Sequence, residues 1–500
     1  MRSTTFNAVP TAADAGAGAE QRALFSEIDR SCRWPLLFLF GSALLWLLAG
    51  TVLALITSLK FNMPWFLSEF AWLTFGRVRP AHLNAVIYGF GSQAAIAIAI
   101  WLMCRLSRVP LRAGGVIFVA TLFWNIGVTL GVMAVLLGQS TSVEWLEMPL
   151  YVNPILFVSY ALIALWAVMT FGFRREKHLY VSQWYLLAAL FWFPWIYSTA
   201  NLLLLVFPVR GVTQAAIDLW FSGNLLVVWL SLTGLAASFY FIPKLSERPL
   251  QSHYLALFVF WTLILFGTWV GIPRCATLPA WMPALSGVAA MMTIVPTLAV
   301  AASVWLTVRG SQTKCGGGPQ CFVRFGICSF VLSGLLLAAS ALPQLSRVTD
   351  FTWFGTAQTQ LRLYGFFAMT MFGAAYHILP RVTGLELPFA RLVGFHFKCG
   401  VLGTILLVVP LVVGGVSQGL KLVNGSITFM DTTKSTLMFL RISTVGDTLL
   451  LLGSLLFLLN VVALISRYYC GVCKTAYASV TAQLESTPAP APEANAEVRA

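Results

Sequence analysis

Apolar runs long enough to cross a bilayer follow one another along almost the whole chain, separated by short polar stretches. A bilayer core needs about 20 apolar residues per helix. On that template the pattern predicts twelve helices, over residues 35–58, 82–104, 113–138, 150–172, 179–207, 215–242, 251–271, 283–308, 322–343, 356–380, 392–416 and 438–466. The runs are continuous and do not alternate apolar with polar, which favours helices over a β-barrel. The expected fold class is an all-α membrane protein, a twelve-transmembrane-helix bundle. Residues 1–33 read as a flexible lead, 34–468 as the membrane domain, and 469–500 as a disordered tail rich in Pro and Ala.

Composition sharpens this reading. Of 500 residues, 59% are hydrophobic and only 10% charged. A soluble domain carries about 25% charged residues, so lipid is the main solvent here. The net charge of +14 is distributed unevenly. Arg105, Arg108 and Arg112, then Arg174, Arg175 and Lys177, then Lys244 and Arg248, fall in loops on the N-terminal side. Fewer basic residues, among them Lys60, Arg210 and Lys421, fall on the other. The positive-inside bias places both termini in the cytoplasm. It accounts for the charge without any nucleic-acid partner, and leaves the lipid bilayer as the expected environment. Trp65, Trp72, Trp145, Trp281 and Trp353 lie in the outer loops, where an interfacial aromatic belt is expected.

The entry to the second helix reads Gly76-Arg77-Val78-Arg79-Pro80-Ala81-His82-Leu83-Asn84-Ala85. Later stretches include Glu147-Met148-Pro149, Tyr240-Phe241-Ile242-Pro243-Lys244, Thr349-Asp350-Phe351-Thr352-Trp353 and Ala375-Tyr376-His377-Ile378-Leu379-Pro380. In this order, and over roughly residues 25–468, the chain resembles the large catalytic subunit (subunit I) of cbb-type cytochrome c oxidase, of the heme–copper oxidase superfamily. The resemblance implies the cytochrome c oxidase subunit I fold, a place in a bacterial inner membrane, respiratory cytochrome subunits as partners, and reduction of dioxygen. That chemistry uses a low-spin heme with two His ligands, a high-spin heme with one and a copper with three.

Only five histidines are present: His82, His178, His253, His377 and His396. The resemblance places a copper-ligand histidine at Gly223, paired ligands at Pro273 and Arg274, and a cross-linked tyrosine at Gly267. It places the high-spin heme ligand at Gln358 and the second low-spin ligand at Gln360. His82 matches the first low-spin ligand, and Arg77, Arg79 and Arg441 match residues that neutralise heme propionates. His377 and His396 match family histidines in the later helices. One heme b is therefore retained as a candidate cofactor, held by His82, the three arginines and Gln360, whereas copper is not expected. His82 otherwise reads as a hydrogen-bonded remnant inside the bundle.

Further candidates follow from polarity in apolar surroundings. Arg362 is expected to fill emptied heme space and pair with a polar partner such as Gln358, or else to snorkel or pair elsewhere in the bundle. Arg274 reads as space-filling or surface-exposed. Asp447 and Lys398 read as an interior polar pair or the vestige of a proton path. Glu144 and Glu147 are the acids nearest the family's calcium position. Cys470 and Cys473 form a CxxC without the His that c-heme attachment needs. Together with Cys315 and Cys321 they are a weak zinc signal, with free thiols as the default.

Three functions stay open. The preferred one is a divergent protein without copper and high-spin heme ligands, acting as a non-catalytic accessory or scaffold subunit in respiratory electron transport. The second is a single-heme-b electron carrier, and the third a cbb-type terminal oxidase subunit.

Overall fold

The computed structural model describes residues 12–311 and 318–486. The helices are, in order, α1 (Ala12–Leu59), α2 (Phe75–Ser107), α3 (Gly114–Leu137), α4 (Asn153–Gly172), α5 (Val181–Val206) and α6 (Val212–Leu245). They continue with α7 (His253–Gly267), α8 (Trp281–Val308), α9 (Pro319–Ser340), α10 (353–383), α11 (Ala390–Val423) and α12 (Phe429–Ser486). Among the described residues there is no strand. Ten of these helices are long and apolar enough to cross a membrane. The other two stand where the seventh and tenth spans were expected. One, α7, has only 15 residues. The other, α10, carries Arg362 and Arg381 among its apolar residues.

Helix α1 starts at Ala12, inside the expected flexible lead, and α12 runs on to Ser486, past the expected end of the membrane domain at 468. The Pro/Ala run lies outside the described residues.

Helix α3 makes the lipid-facing logic plain. Val116, Val119, Phe123, Ile126, Leu130, Met133 and Leu137 are exposed, at helical spacing. The opposite stripe, with Ile117, Trp124, Val128 and Val135, is buried. Large apolar side chains outside and mixed small and large ones inside is the arrangement of a helix whose solvent is lipid. Helix α2 is enclosed by its neighbours throughout its apolar window. Trp65, Trp72 and Trp281 are exposed as expected of interfacial residues, but Trp145 is buried and its carbonyl accepts a 2.5 Å bond from the Tyr88 hydroxyl.

Polar groups inside are satisfied in small clusters. Asn125 donates to the Gln93 side chain at 3.0 Å, and accepts from Trp46 at 3.2 Å. Tyr197 donates to Asn153 at 2.8 Å. Asp29 on α1 accepts from Arg105 and Trp101 of α2, at 2.8 and 2.9 Å. In a bilayer these bonds replace those water cannot supply.

Small residues set the closest helix contacts. At Gly446 of α12 a Cβ would lie 2.4 Å from the backbone nitrogen of Leu407 and 2.8 Å from the Gly403 carbonyl of α11. The backbones touch directly, and only glycine permits it. Replacing Gly446 by Val forces α11 and α12 apart. We expect a loss of about 1–3 kcal/mol, read as a lowered thermal midpoint of the detergent-purified protein. An unchanged midpoint would contradict the direct backbone contact.

Candidate functional site

Three helices carry the sequence positions of interest, and in all three the hydrogen-bond register widens just after them. The α-helical turn with His82 gives way to π-helix at Ala85–Gly91. Gly223 is followed by π-helix at Asn224–Trp229, and Gln360 by π-helix at Leu361–Ala368. A π-helical stretch shifts the side chains after it around the helix axis and is found disproportionately at functional sites. Here the residues just before the three stretches, His82, Gly223 and Gln360, line one interior space.

That space is a cavity of about 530 Å³. It is lined by His82, Arg79, Gly223, Pro273, Arg274, Gln358, Gln360, Arg362 and Asp447. The structure thus brings together, from four helices and one loop, most of the positions singled out from sequence. Arg77 and Arg441 are exceptions. Residues two apart on a helix point to different sides. While Arg79 lines the cavity, Arg77 turns to the Leu136 carbonyl at 3.4 Å and packs on Gly138. Arg441 is exposed and donates to the Phe61 carbonyl at 3.2 Å. Only Arg79 of the three is therefore placed to meet a group in the cavity.

His82 is 5% exposed. Its Nδ1 lies 2.9 Å from the Gly50 carbonyl oxygen of α1. A carbonyl can only accept, so Nδ1 carries the proton and Nε2 keeps its lone pair. A ring nitrogen held by a backbone carbonyl, with the other free, is the usual arrangement of a metal-ligating histidine. Gln360 presents a buried Oε1 with no hydrogen-bond partner. These residues fit one axial ligand of a heme, with a weak oxygen donor as the other candidate and Arg79 available for a carboxylate.

They do not fit copper. Gly, Pro and Arg at 223, 273 and 274 offer no imidazole. Nor is there room for one at 223: a Cβ there would lie 2.0 Å from the Val270 carbonyl oxygen and 2.9 Å from the Gly271 Cα. Gly271, at φ +133°, sits where a Cβ would meet the Leu219 carbonyl at 2.4 Å. Two glycines thus let helix backbone and loop backbone meet at the position where the resemblance expects a copper ligand. At Gly267 a Cβ would lie 3.0 Å from a Val228 methyl, and no tyrosine stands there. Gln358 donates to the Ser340 hydroxyl at 3.1 Å.

Arg362 does not pair with Gln358. It lies 7% exposed in mid-bundle and donates through Nε to Ser333 at 3.1 Å, because α9 presents a hydroxyl to each of them in turn. Arg274 lines the cavity against Gly287, with Nε buried and unpartnered, so it fills space there. Near it, burial pushes the Asp350 carboxyl above its ordinary range, opposed by the Cys275 N–H at 3.2 Å and by the charge of Arg274. Lys398 is exposed over the Phe395 ring, 5.6 Å from its centroid, and forms no interior pair with Asp447.

Residues 35–449 match the family described as cytochrome c and quinol oxidase polypeptide I. The chain belongs to this family. It is 27% identical over 390 residues to the cbb3-type cytochrome c oxidase subunit CcoN1 of Stutzerimonas stutzeri, covering 75% of this chain and 81% of that one. It is equally 27% identical over 451 residues to a cytochrome c oxidase subunit 1 of Rhodobacter capsulatus, covering 84% and 83%. In fold it is similar to a heme-copper terminal oxidase dimer solved by cryo-EM, with TM-score 0.67, 16% identity and coverage of 88% and 84%.

Of the remaining candidates only Glu144 lines the central cavity; the others lie apart from it. His396 shares a 3.0 Å bond with the Tyr376 hydroxyl and stacks on Phe457. His377 sits between the rings of Trp101 and Phe241. His178 and His253, 5.5 Å apart between ring centroids, border a second cavity beside Lys244 and Glu247. Glu147 is buried and accepts from Asn84 at 2.8 Å, while Glu144 is exposed. Burial raises the Glu147 carboxyl above its ordinary range, against the Asn84 bond. Cys321 is in a disulfide, which removes it as a zinc thiolate. Cys315 lies outside the described residues, and Cys470 and Cys473 are free and exposed. Among the described residues no three His, Cys, Asp or Glu are gathered that could hold a metal ion.

If backbone fills the ligand position at 223, restoring the side chain does not restore the metal. We expect Gly223→His, and even Gly223→Ala, to lower stability by about 1–3 kcal/mol. We expect no copper in Gly223→His by elemental analysis. Stoichiometric copper in that variant would contradict the packing described.

Proposed function

We propose that this chain is a subunit I-like membrane protein that does not reduce dioxygen and serves as a non-catalytic accessory or scaffold subunit of respiratory electron transport. The observation that carries the reading is the Val270 carbonyl 2.0 Å from the Cβ position of Gly223. An active site for oxygen needs a copper ligand set that this backbone contact leaves no volume for. A fold shared with oxidases does not itself license their activity. Both termini are assigned to the cytoplasmic side, on the distribution of Lys and Arg among the loops.

A second reading has its own support. The Nδ1–H of His82 held by Gly50, and the unpartnered Oε1 of Gln360, favour one heme b in the cavity. Such a group would supply a one-electron couple. His82 would hold the iron, Arg79 would balance a propionate, and Gly50 would fix the imidazole tautomer. The chain would then be a single-heme electron carrier.

Oxygen uptake by the purified protein, with ascorbate and an artificial electron donor, tests the leading reading. We expect no uptake above the donor blank; turnover that cyanide abolishes would overturn it. A reduced-minus-oxidised visible spectrum separates the two readings. An accessory subunit gives no heme signal. An electron carrier gives one heme b per chain, lost in His82→Ala and kept in a surface variant such as Lys398→Ala.

A further inference from the structure

The charge of Arg362 is not accounted for by the protein around it. Its guanidinium is fixed to α9 only through Nε, on the Ser333 hydroxyl. Among the described residues, its two terminal nitrogens have no hydrogen-bond partner, and no carboxylate lies within 4.0 Å. Arginine does not lose its proton in proteins, so burial cannot neutralise it. A buried guanidinium without a counter-ion is strongly unfavourable. Arg274, on the loop after α7, lines the same cavity, and its Nε is also buried without a partner.

The acids on the cavity wall do not remove this imbalance. Asp350 accepts from the Cys275 N–H and feels Arg274 rather than Arg362. Glu144 is exposed, and Arg79 stands on the same wall as a further cation. Asp447 lines the cavity on α12, yet makes no ion pair with Arg362. Around the cavity the Ser340 hydroxyl donates to the Leu337 carbonyl, and Ser286 accepts from Ile272. The terminal N–H groups of Arg362 are charged donors left without a protein partner. They suit a planar or tetrahedral oxyanion, which a guanidinium binds in bidentate fashion.

We propose that the central cavity is a binding site for a small oxyanion, a carboxylate or an inorganic oxyanion, with Arg362 as its principal ligand and Arg274 as a second source of positive charge. Arg362 is anchored to α9 and His82 to α1, and the site is proposed for the chain with no heme in this cavity. It gives the space around Gln358 an occupant that needs no metal. The cavity volume of about 530 Å³ is ample for a mono- or dicarboxylate.

The test uses the full-length protein in detergent. Thermal midpoints are measured against acetate, succinate and sulfate, with acetamide as the uncharged analogue of acetate, at constant ionic strength set by sodium chloride. The proposal expects saturable stabilisation by at least one of the anions and none by acetamide. Acetate or succinate alone would identify a carboxylate site, and sulfate alone an inorganic oxyanion site. Arg362→Gln is expected to weaken that binding by about tenfold or more, and Arg362→Lys to retain part of it. Asp447→Asn is expected to bind the anion as tightly as the parent or more so. Because Arg362→Gln can misfold, small anions released by denaturing the purified parent protein are also quantified by ion chromatography. About one per chain supports the site. No stabilisation by any anion together with no released anion would overturn it. So would anion binding that appears only in Asp447→Asn, since Asp447 would then be the counter-ion.

Discussion

Direct contact between two stretches of backbone decides what the centre of this bundle can hold. Helix α6 at Gly223 and the loop at Val270–Gly271 approach until no Cβ fits between them. A side chain lost from an otherwise open pocket can be restored by one substitution. A position filled by a carbonyl oxygen cannot, because the backbone of α6 or of the loop must move first. Cores transmit such a shift because they are close-packed. The chain therefore keeps the family's fold, and at its centre two glycines bring helix and loop backbone into contact.

The same frame explains why the cavity persists. The π-helical stretches after His82, Gly223 and Gln360 belong to the backbone and not to any one ligand. They are present on α2, α6 and α10 although positions 223, 358 and 360 carry no imidazole. Buried polar groups then collect in the space that remains. His82 is satisfied by Gly50 and Gln358 by Ser340, whereas Gln360 Oε1 and Arg274 Nε are left without partners. In a low-dielectric interior such groups are costly unless something meets them. The cavity is thus a polar space in the midst of a bundle whose outer faces are apolar.

Much of this was legible in the sequence. Spans such as α3 announce themselves because lipid demands a continuous apolar run, and the structure adds only the sides. The gathering of His82, Gly223, Arg274, Gln358 and Gln360 around one space followed from their register along the resemblance to the oxidase subunit. What could not be read was direction. Arg77 and Arg79 are equivalent in sequence, yet helical geometry sends one to the Leu136 carbonyl and the other to the cavity. Arg362 had Gln358 one turn away as an apparent partner, but α9 offers Ser333 and Ser340 to the two side chains separately. Lys398 lies in an apolar run, and only its position on the outer face of α11 shows that it is exposed. The contact at Gly223 was equally hidden, since a glycine in sequence does not say what lies against it.

Backbone is proposed to occupy the position where the resemblance expects a copper ligand. The most direct test is copper and heme quantified per chain, by elemental analysis and pyridine hemochrome, in protein expressed with copper and heme precursors in excess. The account predicts no bound copper, and no heme beyond one b-type group that His82 could hold. Stoichiometric copper with two hemes would contradict it.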